Sequence, residues 1–501
     1  MLCERVRAVS PGTASDAEVA SEAPELGPGA GAARSVVLVL VVCGAVMTLQ
    51  QTMILPLLPA LPSLLGTSST TASWLVTATL VTGAVVTPLV GRLADSFGKK
   101  RLVMITLSVV VAGSLLGGVS ASIPALIVAR AMQGCGLALV PVAISIMRDV
   151  LPRDRVPGGA AAMGASLAVG SAAGLPIAGL VVLYLDWHGI FWVTAASGAL
   201  LLMAVVRVIP DGPVSSRDSF DYLGAVVLAG ALTSVLLVLT KGNQWGWGEP
   251  RTRLLLVVGC ALAIVWVPVE LRSRSPVVDL RLASRPAVLS VNTCSLLIGF
   301  ALFSNTLVTI QQLQIPRVTG SGFGMGMVEA GLWMIPPTLV GVVMAPVAAS
   351  AIRRFGARLT LLVAAVQISG SFGLRVFFSE ELWQVLAGAG LVAVGLSLAQ
   401  AAIPTLTIQA VPVAQTASAN GVNALLRSVG TSSASATMAA VAAVSFVHAD
   451  GGTYPSFGAF AAMFWISAGA TLIAAGVVAA GLVLQRSTRT LRAAVDGAQA
   501  G

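Results

Sequence analysis

Charge is what this 501-residue chain has least of: only 10% of its residues are Asp, Glu, Lys or Arg, where a soluble globular chain carries about 25%. With 56% apolar residues and a mean hydropathy of +0.92, that shortage excludes a soluble domain and leaves a polytopic membrane protein. Histidine is nearly absent. The two present, His188 and His448, are too few for a histidine-ligated metal centre, so no metal is expected. Of five cysteines, Cys43, Cys135, Cys260 and Cys294 lie in apolar runs and Cys3 in the N-terminal stretch, with no paired spacing for a disulfide or zinc site. A Walker phosphate loop is missing, which excludes direct fuelling by ATP, and the glycine-rich GSGFGMG at Gly320–Gly326 follows no strand, so no nucleotide cofactor is expected. Nor do His, Asp and Ser cluster at helical spacing near one end of an apolar run, as a membrane enzyme would need. The formal charge of +9 does not point to nucleic acid, because the basic residues are scattered among short loops.

What the chain does have is a succession of apolar runs, fourteen in this reading, each near the ~20 residues that cross a bilayer core. Residues 1–34, rich in Ala, Gly, Pro, Ser and Glu, read as a disordered tail, with no cleavable signal peptide. A six-helix bundle is expected over 35–209, a helix pair with linkers over 210–287, a second six-helix bundle over 288–484 and a C-terminal tail over 485–501. With both termini placed in the cytoplasm, twenty-two of the 29 basic residues fall in cytoplasmic segments. Five fall outside (Lys241, Arg251, Arg253, Arg317 and Arg375), and Arg130 and Arg427 lie inside spans. That bias predicts the orientation.

The loop GRLADSFGKKRL, Gly91 to Leu102, packs two glycines, Asp95 and a basic cluster between two apolar runs. A degenerate copy, ASAIRRFGARL at Ala349–Leu359, sets Gly356 against Gly98 while Ala349 and Arg353 replace Gly91 and Asp95. Two homologous halves would leave such a repeat. Read plainly, Asp95 keeps a turn in water. The alternative is a latch made by Gly91, Asp95, Gly98 and Lys99, in which the acid meets basic residues or helix ends of the other half in one conformation only.

Three further stretches could carry chemistry. Arg130, in LIVARAMQGCGLA, has Gln133 one turn away on the same face; it either snorkels to the outer interface or works in the interior. Gln50 and Gln51, in MTLQQTMILPLLPALP, lie at a similar depth and either satisfy each other or offer a carbonyl to Arg130. GSAAGLPIAG combines Gly170, Gly174 and Gly179 with Pro176, giving either a bent helix or a small-residue packing face. Asn292, Ser304, Asn305, Thr309 and Arg427 are further cavity candidates, with Glu329 the acid nearest membrane depth and His188 part of an interfacial belt.

The GRLADSFGKKRL loop, the Arg-Gln-Gly stretch after Arg130 and the GSAAGLPIAG segment together resemble the signatures of the major facilitator superfamily, and over nearly the whole chain its fourteen-helix drug/proton antiporters. Two departures stand out. Gln50 occupies the place where those antiporters carry an acid, and Leu175 separates glycine from proline in the fifth run. The resemblance implies an all-α membrane protein with two pseudo-symmetric six-helix bundles plus two inserted helices. It also implies proton or substrate coupling through Arg130, for which Gln133, Gln50 and Gln51 are the candidate partners, and export of amphipathic or cationic small molecules by proton antiport. A small-molecule substrate, protons and the lipid bilayer are the partners expected, with no cofactor and a monomeric chain. A dedicated metabolite exporter, an uptake porter and a transport-derived receptor are the alternatives.

Overall fold

The computed structural model describes residues 30–54, 57, 61, 65–211, 220–273, 276–449 and 452–499. The disordered tail expected over 1–34 therefore falls almost wholly outside the described residues; from Ala30 onward the chain is already helical.

Long helices follow the apolar runs. They are α1 (Ala30–Thr52), α2 (Trp74–Phe97), α3 (Lys99–Val119), α4 (Ile123–Val150), α5 (Val156–Tyr184), α6 (Gly189–Val208) and α7 (Tyr222–Trp245). Then come α8 (Pro250–Arg272), α9 (Pro286–Gln314), a broken α10 (Met327–Trp333, Ile335–Val343 and Ala345–Phe355), α11 (Ala357–Phe377), α12 (Leu382–Ala410), α13 (Thr416–Val444) and α14 (Phe457–Gln499). Proline explains the irregularities. Pro141 cannot donate to the carbonyl of Leu137, and α4 tightens to a 3-10 turn over Cys135–Ala138 just before it. In α10 the breaks at Met334 and Met344 precede Pro336, Pro337 and Pro346. Gly98 and Gly356 join α2 to α3 and α10 to α11 at φ of 98° and 83°, a backbone region that only glycine enters without strain. The two halves of the repeat thus turn in the same way.

Thirteen of these helices are long and apolar enough to cross a membrane. The exception, α13, is as long as α9 at 29 residues but carries Asn420, Asn423, Arg427 and a run of Ser and Thr. It can hold them because it runs through the middle of the molecule, against α9 and α12 on one side and α2 and α4 on the other. One apolar core fills the C-terminal bundle, and two fill opposite ends of the N-terminal bundle. The inserted pair, α7 and α8, pack on each other and dock through α7 on α2 and α13. Outward-facing α8 leaves Leu254, Val257 and Ile264 exposed, as lipid-facing side chains would be.

Four expectations need correction. The tail drawn over 1–34 overlaps α1, which begins at Ala30. The last runs unbroken to Gln499 through the stretch 485–499 read as a tail. Arg375 and Lys241, both counted among the external loops, are fully buried inside helix packing. A small antiparallel hairpin, Phe446–Ala449 with Gly452–Pro455, interrupts the all-helical pattern between α13 and α14.

Candidate functional site

The seam between the bundles is fastened at one end by Asp95. Its carboxylate, buried at 1% exposure, accepts the backbone N–H of Ala417 (3.2 Å) and of Ser418 (2.8 Å). These are unpaired donors of the first turn of α13, where the helix dipole is positive, so the acid of one bundle caps a helix of the other. The approach depends on small residues. A Cβ on Gly91 would lie 2.7 Å from the carbonyl oxygen of Ala417, and one on Gly421 would lie 3.1 Å from that of Thr87. Arg148 adds a hydrogen bond to the Thr416 hydroxyl. Lys99 does not join Asp95; it forms an ion pair with Asp149 at 2.5 Å, while Lys100 pairs with Asp211 at 3.2 Å. Of the predicted latch residues, Gly91 and Asp95 therefore make the contact, Gly98 sets the turn, and Lys99 anchors α3 to α4.

Above this latch, α4, α9, α12 and α13 enclose a central cavity of about 30 Å³, room for little more than a water molecule. Apolar residues such as Ile144, Ile298 and Leu396 line most of it, with Ser295, Gln400, Asn420, Asn423 and Arg427 as the polar groups. Arg427 is the cavity candidate that lies on its wall. Because α13 starts at Thr416, Arg427 sits eleven residues into the helix, roughly 16 Å deep, and it lines the cavity. The backbone of α9 pins it there, since a Cβ on Gly299 would meet the Arg427 carbonyl oxygen at 2.4 Å. A second cleft, about 610 Å³, lies between α1, α5 and α10, with Arg353 at its edge.

Arg130 lies elsewhere, sealed inside the N-terminal bundle at 1% exposure. Its Nε donates to the carbonyl of Leu75 (3.1 Å), and its Nη1 to the Gln50 backbone carbonyl (3.3 Å) and to Oε1 of Gln133 (2.7 Å). Gln133 passes the contact on to Ser114 (2.8 Å) and Thr194 (3.3 Å). The predicted pairing of Gln50 with Arg130 is present, but through the main chain; the Gln50 side-chain amide donates instead to the Gln133 carbonyl at 3.3 Å. Gln51 is half-buried and takes no part.

The C-terminal bundle holds a counterpart that sequence reasoning missed. Arg375, with no exposure, donates to Asn305 Oδ1 (2.6 Å), Thr309 Oγ1 (2.9 Å) and Gln312 Oε1 (3.3 Å), and its guanidinium lies 4.5 Å from the centre of the Phe464 ring. The signal was available: Asn305, Thr309 and Gln312 stand at i, i+4 and i+7, a polar stripe on one face of an apolar helix. Asn305 and Thr309 therefore bind Arg375 and line neither the central cavity nor the second cleft. Asn292 is buried away from the central cavity, Ser304 is buried beside Asn305, and Glu329 is exposed at the start of α10. Glu270, near the end of α8, is a buried acid that the sequence reading did not single out; its Oε1 accepts the Val278 N–H at 2.6 Å. His188 stacks on Trp187 in the turn before α6.

The glycines of α5 belong to packing. Cβ atoms at Gly170 and Gly174 would lie 2.0 Å from the Ala45 carbonyl oxygen and 1.8 Å from the Thr52 hydroxyl, whereas Gly179 faces open space. The helix is continuous through Pro176.

The fold is thus two helical bundles around a central cavity, with a helix of the second capped by an acid of the first. Residues 40–435 match the Major Facilitator Superfamily. The chain belongs to that superfamily. Among its curated relatives, the facilitator is 28% identical over 377 residues to the multidrug resistance protein Stp of Mycobacterium tuberculosis, covering 74% of this chain and 68% of the relative. It is 27% identical over 342 residues to the tetracenomycin C resistance and export protein of Streptomyces glaucescens, covering 66% of this chain and 62% of the relative. Among solved structures, it superposes on the human organic anion transporter MFSD10 with a TM-score of 0.64 at 16% identity, over 89% of this chain and 99% of that one. For the proton:xylose symporter XylE the TM-score is 0.61 at 12% identity, over 89% and 94%. At those identities the structural likeness speaks for the fold. This facilitator is a membrane transporter with many spanning helices.

Proposed function

We propose that this facilitator is a secondary exporter of amphipathic small molecules, driven by proton antiport through alternating access, with both termini in the cytoplasm. The observation that carries the reading is Asp95 capping α13 across the seam. A carboxylate seated on two helix N–H groups holds one face closed only while that contact lasts, so the seam has a made and a broken state. Protonation would remove the charge that the α13 dipole favours and loosen the latch, which makes Asp95 the acid best situated to couple protons to the motion. Gln50, where a titratable acid would otherwise stand, cannot serve. The names of two relatives, a multidrug resistance protein and a resistance and export protein, support export. The twenty-two basic residues on one side support the orientation.

Reconstitution in vesicles with an imposed pH gradient tests the reading. Dye should move only while the gradient lasts and against it, and Asp95→Asn and Arg130→Ala should each abolish most of that movement. Gradient-independent dye movement would sink proton coupling, and accumulation in the opposite sense would make the protein an uptake porter.

A further inference from the structure

Resting on that reading, we infer that the transported molecule bears an anionic group, a carboxylate or sulfonate, and that Arg427 is the residue that receives it. This narrows the substrate class and reverses the expectation of cations. Arg427 is the one charged residue among those lining the central cavity, and it has no hydrogen-bond or ion-pair partner among the described residues. The contrast with the other deep arginines is sharp. Arg130 and Arg375 are each held by several neutral oxygens and turned into their own bundles. Arg427 is half-buried and lines the central cavity.

A guanidinium at mid-membrane is costly unless something meets it, and a planar anion meets it best, through two parallel N–H···O bonds. Among the described residues, no acid lines either opening to do this from within. Asp95 is committed to α13, Glu270 lies on the peripheral α8, and Glu329 is exposed at the start of α10. The wider cleft repeats the sign, since Arg353 is the one charged residue lining it. A cation would therefore meet only like charge in either opening between the bundles. The remaining walls are uncharged and mostly apolar, so the ligand is an amphipathic acid with a sizeable apolar body. Such a body cannot fit in about 30 Å³; it enters when the seam opens.

The test uses two dyes on one xanthene frame, anionic fluorescein and rhodamine 123, a cation whose carboxyl is blocked as the methyl ester, titrated by fluorescence anisotropy against the full chain in phosphatidylcholine nanodiscs. Wild type should bind fluorescein at least about tenfold more tightly than rhodamine 123, the effect of one charge-assisted pair. Arg427→Gln should erase the preference and Arg427→Lys should keep it, while Arg353→Gln should change fluorescein affinity less than about twofold. A wild-type preference for rhodamine 123, or an undiminished preference in Arg427→Gln, overturns the inference. If Arg427→Gln fails to fold, the wild-type preference and the Arg427→Lys result decide. Vesicle flux of the same dyes separates the two readings. Anion-selective binding without flux would defeat the exporter and leave the site standing; flux that favours rhodamine 123 would do the reverse.

Discussion

Arg130 and Arg375 show how a membrane interior accommodates an ion with no counter-ion. Each guanidinium is surrounded by carbonyl and hydroxyl oxygens from helices of its own bundle, and each leaves one nitrogen, Nη2 of Arg130 and Nε of Arg375, without a partner among the described residues. Their first role is to tie helices together: Arg130 joins α1, α2 and α4, and Arg375 joins α9 and α11. Replacing either by alanine strands several buried acceptors at once. We expect Arg130→Ala and Arg375→Ala each to lower stability by about 2 kcal/mol, read as a fall in thermal midpoint in detergent. An unchanged midpoint for Arg375→Ala would mean that its three side-chain hydrogen bonds contribute nothing net. Arg130 was legible in the sequence because Gln133 stands one turn away on its own helix. Arg375 was not, because its partners lie some sixty to seventy positions earlier in the chain, on α9.

At the scale of the helix, glycine placement separates contact from turn. Gly170 and Gly174 let α1 lie directly on α5, and Gly91 and Gly421 do the same for α2 and α13. Gly98 and Gly356 instead supply positive φ at the two related turns. These roles predict different outcomes. Gly170→Val should disrupt the α1–α5 contact by about 1–3 kcal/mol or prevent insertion, while Gly179→Val, facing open space, should stay within about 0.5 kcal/mol. Gly98→Ala and Gly356→Ala should each cost about 1–2 kcal/mol and add in the double variant, because the turns share no partners. Chemical unfolding of the four single variants and the double one checks this. A loss at Gly179 as large as that at Gly170 would favour a role for the α5 motif beyond packing. Sequence alone left both readings of GSAAGLPIAG open, since a run of small residues looks the same whether it bends a helix or seats a neighbour.

For the molecule as a whole, the proposed function requires a seam with two states that Asp95 biases. In Asp95→Asn the side chain still reaches Ala417 and Ser418 but loses its charge, which should weaken a dipole contact by about 1 kcal/mol and raise the open population severalfold. Ala94, at 1% exposure beside the latch, reports on this. With the five native cysteines replaced by serine, Ala94→Cys should resist a membrane-impermeant maleimide applied from the Gly98 face, and adding Asp95→Asn should speed labelling several-fold. Equal rates in both backgrounds would show that the carboxylate does not hold the seam.

Composition and periodicity alone determined that this chain is helical and built into a membrane. Its apolar runs are long enough to span, and its basic residues fall mostly on one side. The repeat around Gly98 and Gly356 was equally readable, because a turn at positive φ must be written locally as glycine. What only the tertiary structure decided is which polar residues meet. Asp95 and Ser418 are 323 positions apart, and Arg427 faces the cavity because α13 begins at Thr416 and is pinned by Gly299. In a low-dielectric interior a charge is defined by its partners, and partners brought in from other helices leave no spacing to read along the chain.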